Sequence, residues 1–449
     1  MPADTPTEPL DLLDDLVKRA LRAGADAADA VMFDSASLSV AWRLGESEGV
    51  ERAESRDLGL RVFRGKRQAV VSTTDVSPAA LGELVERALA MAGAVPEDPY
   101  CGLAESDRLA TDIADLDLCD ADEPAPEALV ERAARAEDAA RAVAGVTNSE
   151  GAEASWSRTA VALVTSAGFA ATYATSRHGV SASVIAGEGT AMERDYDYAT
   201  ARFAADLGDP GEVGRTAGER AVRRLGPRKA PSRRVPVVYD PRVARGLVGH
   251  LASAIGGPTV ARGTSFLKDR LGEPVFAPGV TITDDPRRAR GLRSKPFDGE
   301  GVGTSARDLV AGGVLASWLL DSRSARQLGL ATTGHAARGT SAPPSPSATN
   351  LFLAAGAPSP AELIADIGEG FYVTELIGMG VNMITGDYSR GAAGFWIEDG
   401  AIAHPVSEVT VAGNLKEMFL ALTPANDLVF RYGVDSPTVR VDGMAVAGT

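Results

Sequence analysis

Four histidines (His178, His250, His335, His404) and two cysteines (Cys101, Cys119) are the soft metal ligands this 449-residue sequence offers. No His is followed by Glu, so HExxH and HExxxH are absent, and the cysteines lack the CxxC spacing of a zinc ribbon. There is no GxxxxGK loop followed by Ser or Thr and no GxSxG elbow, which removes P-loop and common serine-hydrolase chemistry. Gly299-Glu300-Gly301-Val302-Gly303 follows Phe297-Asp298 rather than a clear strand, so it is no dinucleotide fingerprint. His250 falls inside a helix predicted from Pro241. At about 100° per residue it shares a flank with Val243 and Leu247. An inward histidine of this kind is either a hydrogen-bonded packing or interface residue or a metal or catalytic one, and the sequence leaves both open. The second chemical run is Gly380–Glu398, where glycines allow close backbone approach and Asn382, Asp387, Tyr388, Ser389 and Arg390 offer directional donors and acceptors. It reads either as a Gly-rich loop crossing a β-core or as a wall on which an extended peptide adds as a strand.

The elements that must carry these residues form an α+β pattern. Leu12, Leu13, Leu16, Val17, Ala20 and Leu21 predict a first helix closed near Gly24. Strands are expected at Ser37–Gly45, Asp57–Gly65 and Gln68–Thr73, then a helix from Ser77-Pro78 to about Ala92. A helix over Glu127–Ala144, strands at Ala160–Thr165, Phe169–Thr175 and Val180–Ile185, and a helix from Asp209-Pro210 to Gly226-Pro227 repeat that order. Beyond Val235 short strands and tight turns dominate, with hairpins expected at Gly312-Gly313 and Asp399-Gly400 and a capping box at Ser359–Glu362. The expected organisation is two helix-strands-helix units, 1–96 and 124–226, joined by an acidic connector, 97–123, and followed by a strand-rich C-terminal domain, 227–449.

The net charge of −16 disfavours direct contact with nucleic acid. The connector holds ten Asp/Glu against Arg108 alone, while residues 223–234 carry Arg223, Arg224, Arg228, Lys229, Arg233 and Arg234 and no acid. That basic run reads as a solvated linker or as a segment docked on the acidic connector. Met1–Thr5 lacks a basic n-region leading into an apolar h-region, and no uninterrupted apolar run is long enough to span a membrane. A cytoplasmic chain without membrane contact is expected.

Thr385-Gly386-Asp387-Tyr388-Ser389-Arg390-Gly391-Ala392-Ala393-Gly394-Phe395-Trp396, followed by Pro405-Val406-Ser407-Glu408 and Ala412-Gly413-Asn414-Leu415, closely resembles the TldD/PmbA family, formerly described as modulators of DNA gyrase. Gly246–Leu251, Arg262–Leu267, Lys295–Gly301 and Ser324–Leu330 extend the resemblance, which points to the TldE/PmbA branch. It implies a two-subunit bacterial metallopeptidase whose TldD-type chain holds zinc through the two histidines of HExxxH and a cysteine near its C-terminus. The matching window here is Arg245-Gly246-Leu247-Val248-Gly249-His250. Arg245 occupies the first ligand position, Gly246 replaces the glutamate, His250 alone is kept, and no cysteine follows Cys119.

The expectation is a chain without a metal or other cofactor of its own, paired with a TldD-like subunit that supplies zinc. It would shape a chamber for unfolded or leader peptides, with Asn382, Asp387, Tyr388, Ser389 and Arg390 on the substrate wall. The resemblance leaves room for a homodimer as well. Two alternatives are an autonomous metallopeptidase that recruits His335, His404 or a carboxylate beside His250, and a non-catalytic regulatory binding protein.

Overall fold

The computed structural model describes residues 7–448; the Met1–Thr5 stretch lies outside them. Helix α1 (Thr7–Arg22) forms where Leu13, Leu16, Val17 and Ala20 recur at helical spacing and lose contact with solvent. Strands β1 (Ala27–Arg43), β2 (Glu46–Arg64) and β3 (Arg67–Thr73) lead to α2 (Pro78–Ala94), where the Ser77 side chain accepts from the Ala80 amide and Pro78 occupies the first turn. The second unit repeats this order with α3 (Pro126–Arg141), β4 (Val146–Thr165), β5 (Ala170–Ala186), β6 (Glu193–Ala201) and α4 (Pro210–Arg223).

The strands are longer than the hydrophobic pattern predicts. The runs expected at Phe169–Thr175 and Val180–Ile185 are one strand, β1 begins well before Ser37, and β6 was not anticipated. All six strands join one antiparallel sheet in the order β3-β2-β1-β4-β5-β6, with β1 and β4 paired from Asp29↔Thr165 to Trp42↔Ala152. The two units therefore share a sheet.

Alternation then sorts side chains by face. Ala28, Ala30 and Met32 of β1 pack under α1 and α2, and Leu38 and Val40 pack under α3 and α4, so both helix pairs cover the same face. Asp29, Val31 and Phe33 point to the other face, where Val31, Leu163 and Phe169 meet Phe297 of the C-terminal region. Helix α4 lies close on α3 because Gly214 has no Cβ: one added there would stand 1.8 Å from the Ala136 carbonyl oxygen.

In the C-terminal region β7 (Arg233–Tyr239) turns into α5 (Pro241–Ala254). Strands β8 (Glu369–Ile377), β9 (Asp387–Glu398), β10 (Ala401–Asn414) and β11 (Val439–Ala447) complete the main sheet. β7 runs parallel to β8 and antiparallel to β11, and β8, β9 and β10 form antiparallel neighbours. β11 also pairs with β10 through Thr410↔Ala447 and Ala412↔Ala445, so the sheet closes on itself. Val237, Phe371, Trp396, Val411 and Val441 pack with Leu247 and Leu251 of α5 in one core. The hairpins at Gly312-Gly313 and Asp399-Gly400 and the capping box at Ser359–Glu362 form as expected; Asp399 and Gly400 both take positive φ, as a two-residue hairpin turn requires. The chain is α+β.

The charged segments behave differently from either expectation. The basic run contacts the closed sheet, not the connector: Arg224 pairs with Glu375 at 2.6 Å, Lys229 with Glu408, Arg233 with Glu369, and Arg223 lies over the Phe395 ring. Glutamates on two strands of that sheet, Glu369 and Glu375 of β8 and Glu408 of β10, supply the counter-charges that draw it there. The acidic connector straps onto the C-terminal region separately, through Asp98–Arg323, Glu105–Arg326 and Asp117–Arg290 pairs and a Leu109↔Val302 bridge.

Candidate functional site

Helix α5 starts sharply because Asp240 caps it, accepting from the Arg242 amide at 3.0 Å, while the Tyr372 hydroxyl donates to the other Asp240 oxygen at 3.1 Å. Burying Ala244, Leu247, Val248 and Leu251 fixes the helix rotation. Arg245, Gly246 and His250 are left along its flank, half-buried.

The His250 ring lies edge-on to Tyr388 at 6.0 Å, and burial together with the Arg390 cation pushes its pKa down to about 4. It is neutral at pH 7. Arg245 stacks on the Tyr432 ring at 4.2 Å and donates from Nε to the Arg242 carbonyl. A Cβ built at Gly246 would meet nothing within 4 Å, so the position of the family's glutamate is open space.

A cavity of about 350 Å³ opens in front of this flank. Residues Arg194–Tyr196 of β6, Arg242, Val243, Arg245 and Gly246 of α5, Thr374–Leu376 of β8, Arg224 and Arg390 line it. β8 bulges there, its register skipping Thr374 between Val373 and Glu375. Asp195 is buried and would be costly as an ion, but two hydrogen bonds from Arg242, at 2.6 and 3.0 Å, outweigh burial and hold its pKa below the usual range. Arg224 adds a second cation to Asp195 and pairs with Glu375. A larger cavity, about 580 Å³ and lined by Met32, Arg56, Arg158 and Tyr173, contains none of the candidate residues.

The Gly-rich run is placed differently from its substrate-wall reading. Tyr388 is buried, and burial raises its pKa to about 12. Asp387 is exposed and held by Thr385 and Asn414, at 2.7 and 3.0 Å, while Asn382 closes a local turn on the Ile384 amide. Ser389 faces solvent; Arg390 points into the cavity wall with Nε near the Ile377 carbonyl. The backbone at 387–390 is already paired on both sides, with Gly413, Ala412 and Val411 on β10 and with Gly380 and Asn382 on the other flank. No ladder is open there for a peptide to join. Of the five residues, Arg390 and Tyr388 come together with His250; Asn382, Asp387 and Ser389 serve the loop and its surface.

Zinc would need at least three convergent ligands. Among the described residues no three His, Cys, Asp or Glu side chains are grouped to hold a metal ion. His335 lies against Asp284 and Thr333, His404 near Glu398 and His178 beside Asp120. The carboxylates that line the cavity, Asp195 and Glu375, are committed to arginines, and a fixed guanidinium stands beside His250. The donor set does not fit zinc.

The arginine-rich surroundings of α5 were not anticipated. Their signal lay in Asp195-Tyr196-Asp197-Tyr198, whose period-2 pattern marks a strand with acids on its inner face and so calls for buried cations.

Comparison with known proteins places this α+β architecture in a defined class. Residues 28–92, 119–225 and 232–448 match, in order, domain 1, the central domain and the C-terminal domain of the PmbA/TldA metallopeptidases. The chain belongs to the PmbA/TldD metallopeptidase family. It is 40% identical to the metalloprotease PmbA of Escherichia coli O157:H7, over 97% of this chain and 96% of that one. A Bacteroides thetaiotaomicron structure described as a candidate modulator of DNA gyrase superposes with a TM-score of 0.90, at 27% identity and full coverage of both chains. TldE of Thermococcus kodakarensis shares the fold, with a TM-score of 0.86 at 20% identity over 97% of this chain and 100% of that one. Among the described residues no helix is long and apolar enough to cross a membrane.

Proposed function

We propose that this chain is the TldE/PmbA-type subunit of a cytoplasmic peptidase assembly, paired with a TldD-like subunit that carries the zinc and cleaves unfolded or leader peptides. The observation that carries this reading is the α5 flank: a guanidinium at Arg245 held on the Tyr432 ring, an empty Gly246 position and, further along, a neutral His250. Hydrolysis is the partner's task. This chain contributes shape and charge to the chamber, and holds peptide through side chains, since the backbone at 387–390 is already paired. Exposed Ile377, Met379 and Ile384 give an apolar surface next to Arg390 for the partner subunit.

The test is digestion of an unfolded protein by a zinc-loaded TldD-like chain with and without this chain, with zinc measured on each purified component. Cleavage only in the mixture, with zinc held by the TldD-like chain, is the expected outcome. Full activity of the TldD-like chain alone would sink the reading and favour a regulatory role; one tightly held zinc in this chain would favour autonomous catalysis.

A further inference from the structure

Five arginines line the cavity beside His250, and they are not equivalent. Arg194 pairs with Glu150 at 3.1 Å, Arg224 with Glu193, Asp195 and Glu375, and Arg242 with Asp195. Among the described residues, Arg245 and Arg390 have no carboxylate within ion-pair distance, although both are half-buried. A guanidinium drawn partly out of water without a counter-ion is costly, and the cost is recovered when an anion arrives. Both cations are also held in place before any ligand binds, Arg245 by the Tyr432 ring and the Arg242 carbonyl, Arg390 by the Ile377 carbonyl. Such preorganisation lowers the ordering cost of binding.

We infer that this cavity binds the free C-terminal carboxylate of a peptide, with Arg245 and Arg390 as its counter-ions. The peptide identity rests on the function proposed above; the anion site rests on the geometry alone. Two features select this ligand. The volume of about 350 Å³ is at the small end for ligand sites and takes a chain end rather than a crossing strand. The paired backbone of β9 denies a crossing strand its ladder.

The experiment measures binding to this chain alone, by fluorescence anisotropy at low salt, of an N-terminally labelled Ala-Gly octapeptide as free acid and as C-terminal amide. Inorganic phosphate serves as competitor. The free acid is expected to bind at least tenfold more tightly than the amide. The double variant Arg245→Met/Arg390→Met should abolish that preference, while Arg245→Lys/Arg390→Lys, which keeps the charges, should retain part of it; near-native melting temperatures establish that the variants are folded. Equal affinity for acid and amide in the wild type would overturn the inference. So would an undiminished preference in the folded Met variant, or displacement of the acid by phosphate at equal concentration. Because no cleavage is measured, an acid preference in a chain that proves dispensable for digestion would retain the site and reject the partner reading.

Discussion

Asp29 and Arg61 leave the sheet on the face opposite the helices and meet Arg338 and Glu300 of the C-terminal region almost without solvent, whereas Asp195 leaves β6 to meet Arg242 and Arg224 at an open cavity. Both junctions tie the first sheet to the C-terminal region with arginines. In the first, one carboxylate is bracketed by two cations: burial opposes the charge on Asp29, but Arg338 and Arg61 together keep its pKa below the usual range. In the second, every acid is matched and two cations are left over. The contrast separates charge that closes an interface from charge that awaits a ligand.

The largest effect is expected at the closed junction. Asp29→Ala would strand two buried guanidiniums and should cost roughly 3–5 kcal/mol in urea unfolding; a loss below about 1 kcal/mol would mean that water already reaches that interface. The closed junction should also give the chain its pH dependence. Asp298 accepts from the Glu300, Val302 and Ala336 amides, yet burial and the neighbouring Glu300 charge raise its pKa well above the usual carboxylate range. A carboxyl with a raised folded-state pKa binds its proton more tightly when folded, so its contribution to stability is fully present below the unfolded-state carboxyl pKa and is lost as pH rises through the raised one. The depressed His250 pKa contributes the opposite slope, so the test is a difference: between pH 5 and pH 8 the unfolding free energy of the wild type should fall relative to that of Glu300→Gln by on the order of 1 kcal/mol. Parallel profiles for the wild type and Glu300→Gln would remove the buried acid pair as a source of pH dependence.

At the open junction the effects are smaller and local. Arg390→Met should raise the His250 midpoint from about 4 by roughly half a unit to one unit, read from imidazole proton shifts, because the cation is one of two causes of its depression. An unchanged midpoint would leave burial as the only cause and weaken the case for Arg390 facing that space. Gly246→Ala is the smallest change. Gly246 is helical and its missing Cβ meets nothing, so alanine should stabilise the chain by about 0.5–1 kcal/mol in thermal unfolding.

Local chemistry was legible in the sequence: the Ser77, Asp209 and Asp240 caps, the Ser359–Glu362 box, the Asp399-Gly400 hairpin and the inward flank of His250 all form where the residues ask for them. Long strands were less legible. Residues 46–56 of β2 are exposed throughout, so they carry no apolar alternation to betray a strand that β1 alone specifies. β6 was hidden for the opposite reason, since its inward positions include Asp195 and Asp197, acids made tolerable by Arg242, Arg224, Arg220 and Arg431 from distant segments. At 382–390 the sequence shows which backbone can pair but not that it is already paired on both sides.

The closure of the C-terminal sheet sets a schedule for folding. β11 pairs with β7, more than two hundred residues earlier, and with β10. During synthesis the sheet remains open until residues 439–447 have left the ribosome, exposing the apolar flanks of β7 and α5 through that interval. Such long-range closure predicts slow refolding, in which tertiary signals lag behind recovery of the first sheet, and a dependence on chaperones that a chain of the same stability but more local topology would not share.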